Sequence, residues 1–178
     1  MRRLLSIALL AAAAGWGQNA EPRMVRINAP YVETPPEVVD AMLDAAQVKA
    51  GDVVYDLGCG DGRILIAAAR RFGVHGVGVD ISAEHIAQAR RNAEKAGVAS
   101  LVDFRVEDLF EMDLGKATVV TLYLLRSVNL ELRPKLLAEL APGTRIVSHE
   151  FDMGDWKPAR QLQVHGSKIF LWVIPPRP

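Results

Sequence analysis

Apolar runs with strand character alternate along the chain with segments whose apolar residues recur at helical spacing, an order that yields a mostly parallel sheet covered on both faces. Strands are predicted at 53–56, 74–80, 101–106, 117–124 and 144–149. A closing antiparallel hairpin is predicted at 161–164 and 168–174, joined by His165-Gly166-Ser167. Thr34-Pro35-Pro36-Glu37 reads as a capping box with proline at the first helical position, so a helix should run over 35–47 with Val38, Val39, Met42, Leu43 and Ala46 inward. A second helix is predicted over 62–72, stopped by Gly73. Ser82 is the expected N-cap of a third ending near Gly97, with Glu84 and Lys95 placed as the helix dipole favours. The fourth is predicted over 130–140, Pro134 forcing a late start or a kink.

The first twenty residues follow another pattern. Met1-Arg2-Arg3 precedes an eleven-residue apolar run from Leu4 to Ala14, too short for the ~20 residues of a spanning helix, and the small residues Gly15, Gly17 and Ala20 follow. Residues 1–20 therefore read as a signal peptide and 21–178 as an exported or periplasmic domain. An uncleaved membrane anchor, or a cytoplasmic protein with a mistaken start codon, is the alternative. The chain of 178 residues is half apolar and 24% charged, which fits one packed domain and excludes a disordered or fibrous chain. Lys plus Arg (21) equals Asp plus Glu (21), so no global positive field gathers nucleic acid; loss of Arg2 and Arg3 with the leader would leave nineteen against twenty-one. The single cysteine, Cys59, excludes an internal disulfide.

The chemistry gathers at the carboxyl ends of the predicted strands, where an open α/β sheet has its crevice. Asp56-Leu57-Gly58-Cys59-Gly60-Asp61-Gly62 places three glycines right after the first strand, so a ligand can lie against bare backbone near the next helix N-terminus. A dinucleotide fingerprint would need its third glycine at 63, where Arg63 stands, and this argues against NAD. Asp80 closes the second strand, twenty-two residues after Gly58, the spacing at which a carboxylate accepts ribose hydroxyls. After the third strand, Asp108 could accept from an adenine amino group, with Ile81 and Leu109 sandwiching the ring. Singly, each acid is better explained as an ordinary helix cap; together, in the order strand-glycine loop, strand-acid, strand-acid, they describe an adenosine pocket.

With those residues in view the chain resembles the class I S-adenosylmethionine-dependent methyltransferases, whose first motif matches 56–62, and the resemblance covers nearly all of 31–174. More narrowly it resembles the protein-lysine methyltransferases acting on the ATP synthase c-subunit and the adenine nucleotide translocase, with their bacterial relatives. Pro30-Tyr31-Val32-Glu33-Thr34-Pro35, Thr121-Leu122-Tyr123-Leu124-Leu125, Asn129, Leu132-Arg133-Pro134-Lys135-Leu136 and Ser148-His149-Glu150-Phe151-Asp152-Met153 carry that likeness. It implies a Rossmann-like seven-stranded sheet, S-adenosyl-L-methionine as cofactor, and cofactor contacts from Thr34, Asp56, Gly58, Cys59, Gly60, Gly62, Asp80, Ile81, Asp108 and Leu109. Tyr31 and Tyr123 are the expected catalytic residues at the acceptor mouth, against the plainer reading of packing at the sheet edge.

Two positions depart from the subgroup: Glu33 and Arg126 stand where prolines are expected. The Asn-Pro-Pro-Tyr type of motif used on planar amines is absent at the fourth strand, which weakens a nucleobase acceptor. Of the four histidines, His149 beside Glu150 invites a metal reading, but neighbours in a strand point to opposite faces and no metal is expected. Cys59 is read as a small filler, Trp156 and Trp172 as core or rim residues, and Arg70-Arg71 and Arg90-Arg91 as solvated helix faces. The expected function is a monomeric enzyme methylating a protein lysine, without nucleic acid and with membrane contact only through the N-terminal segment. A small-molecule methyltransferase and a non-catalytic cofactor-binding module are the competing readings.

Overall fold

A computed structural model describes residues 31–177. Four helices and seven strands follow in the order α1 (Pro36–Ala45), β1 (Val53–Leu57), α2 (Arg63–Phe72), β2 (His75–Asp80), α3 (Ala83–Lys95), β3 (Val102–Val106), β4 (Val119–Leu122), α4 (Arg126–Glu139), β5 (Arg145–His149), β6 (Arg160–Val164) and β7 (Ser167–Val173). The strands form one sheet in the order β3-β2-β1-β4-β5-β7-β6. β1 to β5 are parallel; β7 pairs antiparallel with β5 and β6. The order in which strands are laid down reverses beside β1, whose neighbours are β2 and β4, and that switch point opens a crevice at the carboxyl ends of the strands.

Alternation along each strand divides the core into two layers. Val54, Val119 and Val147 pack with Val38, Met42 and Leu43 of α1, Leu65 of α2 and Ile86 of α3. Their neighbours Tyr55, Val120 and Ile146 face the other way, onto Val128, Leu132 and Leu136 of α4 and onto Met112 and Leu114. The continuous apolar character of β1 and β4 thus follows from burial on both faces. The hairpin turns through His165 and Gly166, both at positive φ, as a two-residue connection between right-twisted strands requires.

Local signals were decisive at some helix ends and not at others. Ser82 caps α3 by accepting from the His85 N–H at 3.2 Å, and Gly73 stops α2 in the left-handed region. The expected capping box at Thr34 does not form: Pro35 occupies the N-cap without a side-chain bond. Thr34 Oγ1 lies instead 3.2 Å from His149 Nδ1. The fourth helix begins at Arg126, earlier than the 130 expected, and carries Pro134 inside it. Val128, Leu132 and Leu136 form its buried stripe, whereas Pro134 lies on the exposed side, where the carbonyl of Leu130 that lacks a helical donor can meet water. The expected leader, residues 1–20, lies outside the described residues. Among the described residues no helix is long and apolar enough to cross a membrane.

Candidate functional site

The glycine loop after β1 is folded by its own backbone and by Asp80. Gly58 and Cys59 both donate from their N–H groups to Val79 O at 2.9 Å, which ties the loop to the end of β2. Asp80 Oδ2 accepts from Gly60 N–H at 3.0 Å and Asp80 Oδ1 from Ser82 N–H at 2.9 Å, with His85 Nδ1 3.4 Å from Oδ2. One carboxylate therefore sets the loop and the start of α3 together, keeping further lone pairs toward the crevice. Two of the glycines answer different needs. A Cβ on Gly60 would overlap the Tyr31 ring, so its bareness lets that ring lie on the loop. Gly62 has φ 79°, and a Cβ there would come within 2.5 Å of Phe104 Cζ, so it serves helix–sheet packing.

A cavity of about 260 Å³ opens over this loop, and its lining joins most of the expected site residues: Tyr31, Thr34, Asp56, Gly58, Cys59, Asp80, Ile81, Leu109 and Tyr123. Gly60, Gly62 and Asp108 are not in the lining. Asp108 turns Oδ1 back to accept from Phe110 N–H at 2.9 Å, holding the turn after β3. Glu107, Asp61, Arg63 and His85 line the cavity although the sequence reading did not single them out as site residues. Spacing gave no cue to Asp61, Arg63 and His85, which meet the segment 31–34 where it crosses the crevice, whereas Glu107 is set beside the end of β2 by its N–H bond to Asp80 O at 3.2 Å.

That segment is strapped to the site at several points. Arg63, the residue that breaks the dinucleotide pattern, donates Nε and Nη2 to Asp61 at 2.9 and 2.7 Å, and Nη1 to Thr34 O at 3.1 Å. It also pairs with Glu33 Oε2 at 3.0 Å, which gives a partner to the first of the two departures from proline; Arg126, the second, donates to Asp152 at 2.8 Å. The Tyr31 ring rests 4.5 Å from that of His85. Burial opposes ionisation of Asp61, but the hydrogen bonds and charge of Arg63 outweigh it and hold the carboxyl below its ordinary value.

Asp56 is the exceptional acid. It is 2% exposed, and it accepts from Thr121 Oγ1 at 2.7 Å without a cationic partner among the described residues. Burial pushes its pKa up to about 7; the Thr121 hydroxyl moderates this and the charge of Asp80 adds to it. Cys59 is buried too, with Sγ 2.9 Å from the place a Cβ on Gly78 would take, and burial pushes its thiol well up. Such a thiol is a filler rather than a nucleophile.

At the opposite wall Tyr123 stands just beyond β4. Its ring centroid lies 4.0 Å from that of His149 and 6.4 Å from that of Phe151. Burial raises the Tyr123 hydroxyl above its ordinary pKa, with Glu150 adding, and lowers that of His149, so both are neutral near pH 7. Contrary to the expectation that strand neighbours diverge, His149 and Glu150 approach each other: the strand ends at His149, Glu150 has φ 63°, and His149 Nε2 lies 3.8 Å from Glu150 Oε1. Among the described residues no group of three or more metal-binding side chains forms.

An adenosine-bearing sulfonium fits these residues: Asp56 offers an uncompensated buried carboxyl to a cation, Asp80 offers acceptors to ribose hydroxyls, and Ile81, 54% exposed, offers an apolar face opposite Leu109. Comparison with known proteins points the same way. A family model described as the ANTKMT methyltransferase domain matches residues 56–160. A protein of Saccharolobus islandicus (strain REY15A) named protein-lysine N-methyltransferase is 48% identical over 152 residues, covering 83% of this chain and 94% of that one. The Mus musculus adenine nucleotide translocase lysine N-methyltransferase is 32% identical over 165 residues, covering 87% and 72%. The crystal structure of an RNA methyltransferase from Salinibacter ruber in complex with S-adenosyl-L-homocysteine superposes with a TM-score of 0.81 at 55% identity, covering 83% of this chain and 96% of that one.

Proposed function

Since the chain belongs to the ANTKMT methyltransferase family, whose members depend on S-adenosylmethionine, we propose that the acceptor it methylates is the side-chain amine of a protein lysine. The observation that carries this reading is the charge of the cavity. Four carboxylates line it, from Glu33, Asp61, Asp80 and Glu107, besides the buried acid of Asp56, against the single guanidinium of Arg63. Such a mouth attracts a cationic amine and repels a phosphate backbone. The relatives named for lysine acceptors support the same choice.

When bound, the cofactor supplies a sulfonium methyl that is already a good electrophile. The work of the chain is therefore alignment, exclusion of water and management of one proton. Asp56, Asp80, Ile81 and Leu109 would hold the cofactor. Tyr31 and Tyr123 would wall the approach of the amine from opposite sides of the cavity they share. An attacking lysine must be neutral, and bringing its pKa from ~10.4 to ~7 takes about 5 kcal/mol, for which desolvation and the sulfonium charge have to outweigh the acidic lining that draws the ammonium in. No dedicated histidine base is needed for this.

An RNA acceptor is the second reading, since the Salinibacter ruber relative bears that description. Incubating the protein with methyl-tritiated cofactor and a cell extract that lacks the gene separates the two. Label is expected in protease-sensitive material and, after acid hydrolysis, as methyllysine; label that ribonuclease releases would overturn the lysine reading. A small-molecule acceptor would appear as label in neither polymer. The leader belongs to this proposal as well, supported by Arg2-Arg3 and the apolar run to Ala14. N-terminal sequencing of the mature protein is expected to begin near residue 21, and recovery with Met1 intact in the cytoplasm would contradict it.

A further inference from the structure

Beyond β5 the backbone does something costly that the cofactor site leaves unexplained. Phe151 N–H donates to His149 O at 2.8 Å across Glu150, whose φ is 63°. This is a γ-turn with a left-handed, non-glycine central residue, a rare and strained form. The turn is clamped from two neighbours. Glu150 N–H donates to Lys168 O at 2.7 Å, and Glu150 Oε1 accepts from Lys168 N–H at 3.0 Å, both on β7. Asn129 Nδ2 of α4 donates to Phe151 O at 3.1 Å, and Ser148 Oγ donates to the same carbonyl at 2.8 Å. Both buried side-chain atoms that lack a hydrogen-bond partner among the described residues, His149 Nε2 and Asn129 Oδ1, flank this turn.

What the turn achieves is an arrangement of rings. By reversing direction over three residues it carries His149 and Phe151, its first and last members, to the ring of Tyr123 at 4.0 and 6.4 Å. His149 also reaches Thr34 Oγ1 at 3.2 Å, across 115 positions of sequence, joining the end of β5 to the strap over the crevice. Thr34 and Tyr123 line the cavity, whereas His149 and Phe151 stand behind them. The cofactor residues lie over β1 and β2, so this half of the cavity, over β4 and β5, is left for the acceptor.

We propose that His149 is a positioning residue for the methyl acceptor, holding the Tyr123 ring at a fixed tilt against the amine while taking no part in cofactor binding. This rests on the lysine reading above. An in-line displacement tolerates little lateral error, so freedom of the Tyr123 ring costs turnover before it costs stability. The ring of His149 carries the effect, so phenylalanine substitutes for it and leucine does not.

The test combines methyl transfer into extract protein, S-adenosylhomocysteine titration and fluorine spectra of protein labelled with 3-fluorotyrosine, which has only three tyrosines to resolve. The Tyr123 signal is assigned from Tyr123→Phe. His149→Leu is expected to lower kcat ten- to a hundredfold, to change S-adenosylhomocysteine affinity less than threefold, and to shift the Tyr123 signal while that of Tyr55 stays in place. His149→Phe is expected to recover the rate to within about threefold of wild type. Phe151→Leu, which removes the more distant ring, is expected to move turnover and the Tyr123 signal in the same direction by less. Equal turnover in wild type and His149→Leu, an unmoved Tyr123 signal, or a parallel loss of S-adenosylhomocysteine affinity would each overturn the positioning role. Wild-type protein that labels no lysine at all would instead overturn the lysine reading.

Discussion

At Asp56 the fold keeps a carboxylic acid in a place that suits its neutral form until a cation arrives. The folded pKa is raised to about 7 from the ordinary 3.8, so in the cofactor-free protein the unfolded chain ionises first as pH rises. Stability from this group is fully present below 3.8, falls as pH climbs toward about 7, and is lost above it. Asp56→Asn is expected to flatten that dependence and to make the cofactor-free protein more stable at pH 8 by on the order of 3 kcal/mol, read from urea melts at pH 5 and pH 8. The same variant is expected to bind S-adenosylmethionine more weakly, since the cation loses its buried partner. As the head of a glycine motif, Asp56 was legible in the sequence. Its proton was not, because burial is set by Thr121 and by packing at the sheet centre. His149 shows the same limit more sharply. Its neighbours suggested a metal ligand to be dismissed, while its partners Thr34 and Tyr123 come from elements that no local pattern connects.

Among the elements, those with clean periodicity were read well: β1 to β3, α2, α3 and the hairpin fall within a residue or two of expectation. Boundary errors of that size carry little weight, because helix and strand ends are assigned loosely. The larger miss, at α4, has a physical cause. A proline inside a helix ordinarily costs ~3 kcal/mol, so the expected helix over 130–140 was tied to a late start or a kink at Pro134, and the turn before it was left out. The chain accepts it because Leu132 and Leu136 are fully buried and the proline faces solvent. Pro134→Ala is therefore expected to stabilise the protein by about 2 kcal/mol, less than the full helix penalty since alanine also loosens the unfolded chain. In a domain of this size that is a rise of roughly 4–8 °C in Tm by calorimetry, with activity unchanged. At α1, by contrast, Thr34 gave up its cap to reach His149, so a signal with a sound local mechanism was overridden by a tertiary contact.

Across the whole molecule, the sheet order divides the labour of one crevice. The ends of β1 and β2 present the glycine loop and Asp80, the ends of β4 and β5 present Tyr123 and the γ-turn, and the strap from Tyr31 to Thr34 crosses above them. The topology was readable from the sequence, and so was the meeting of Asp56, Gly58, Asp80 and Leu109 at one cavity, because they sit at fixed offsets from strands; Asp108, read the same way, turns back to hold its own loop. Of the two tyrosines singled out in the sequence, Tyr123 stands at the β4 end, held by ring contacts and a strained turn that composition does not announce, whereas Tyr31 lies on the glycine loop beside His85. The balanced net charge hides a cavity whose lining holds more acidic than basic side chains, a field that favours cations. The most direct measurement is calorimetric titration of the folded domain with S-adenosylhomocysteine, in wild type and in Asp80→Asn. Micromolar binding by wild type is expected, weakened at least thirtyfold in Asp80→Asn with the fold intact by circular dichroism. Absence of binding by folded wild-type protein, or equal affinity in the two, would contradict the placement of the cofactor over Asp80 and the glycine loop.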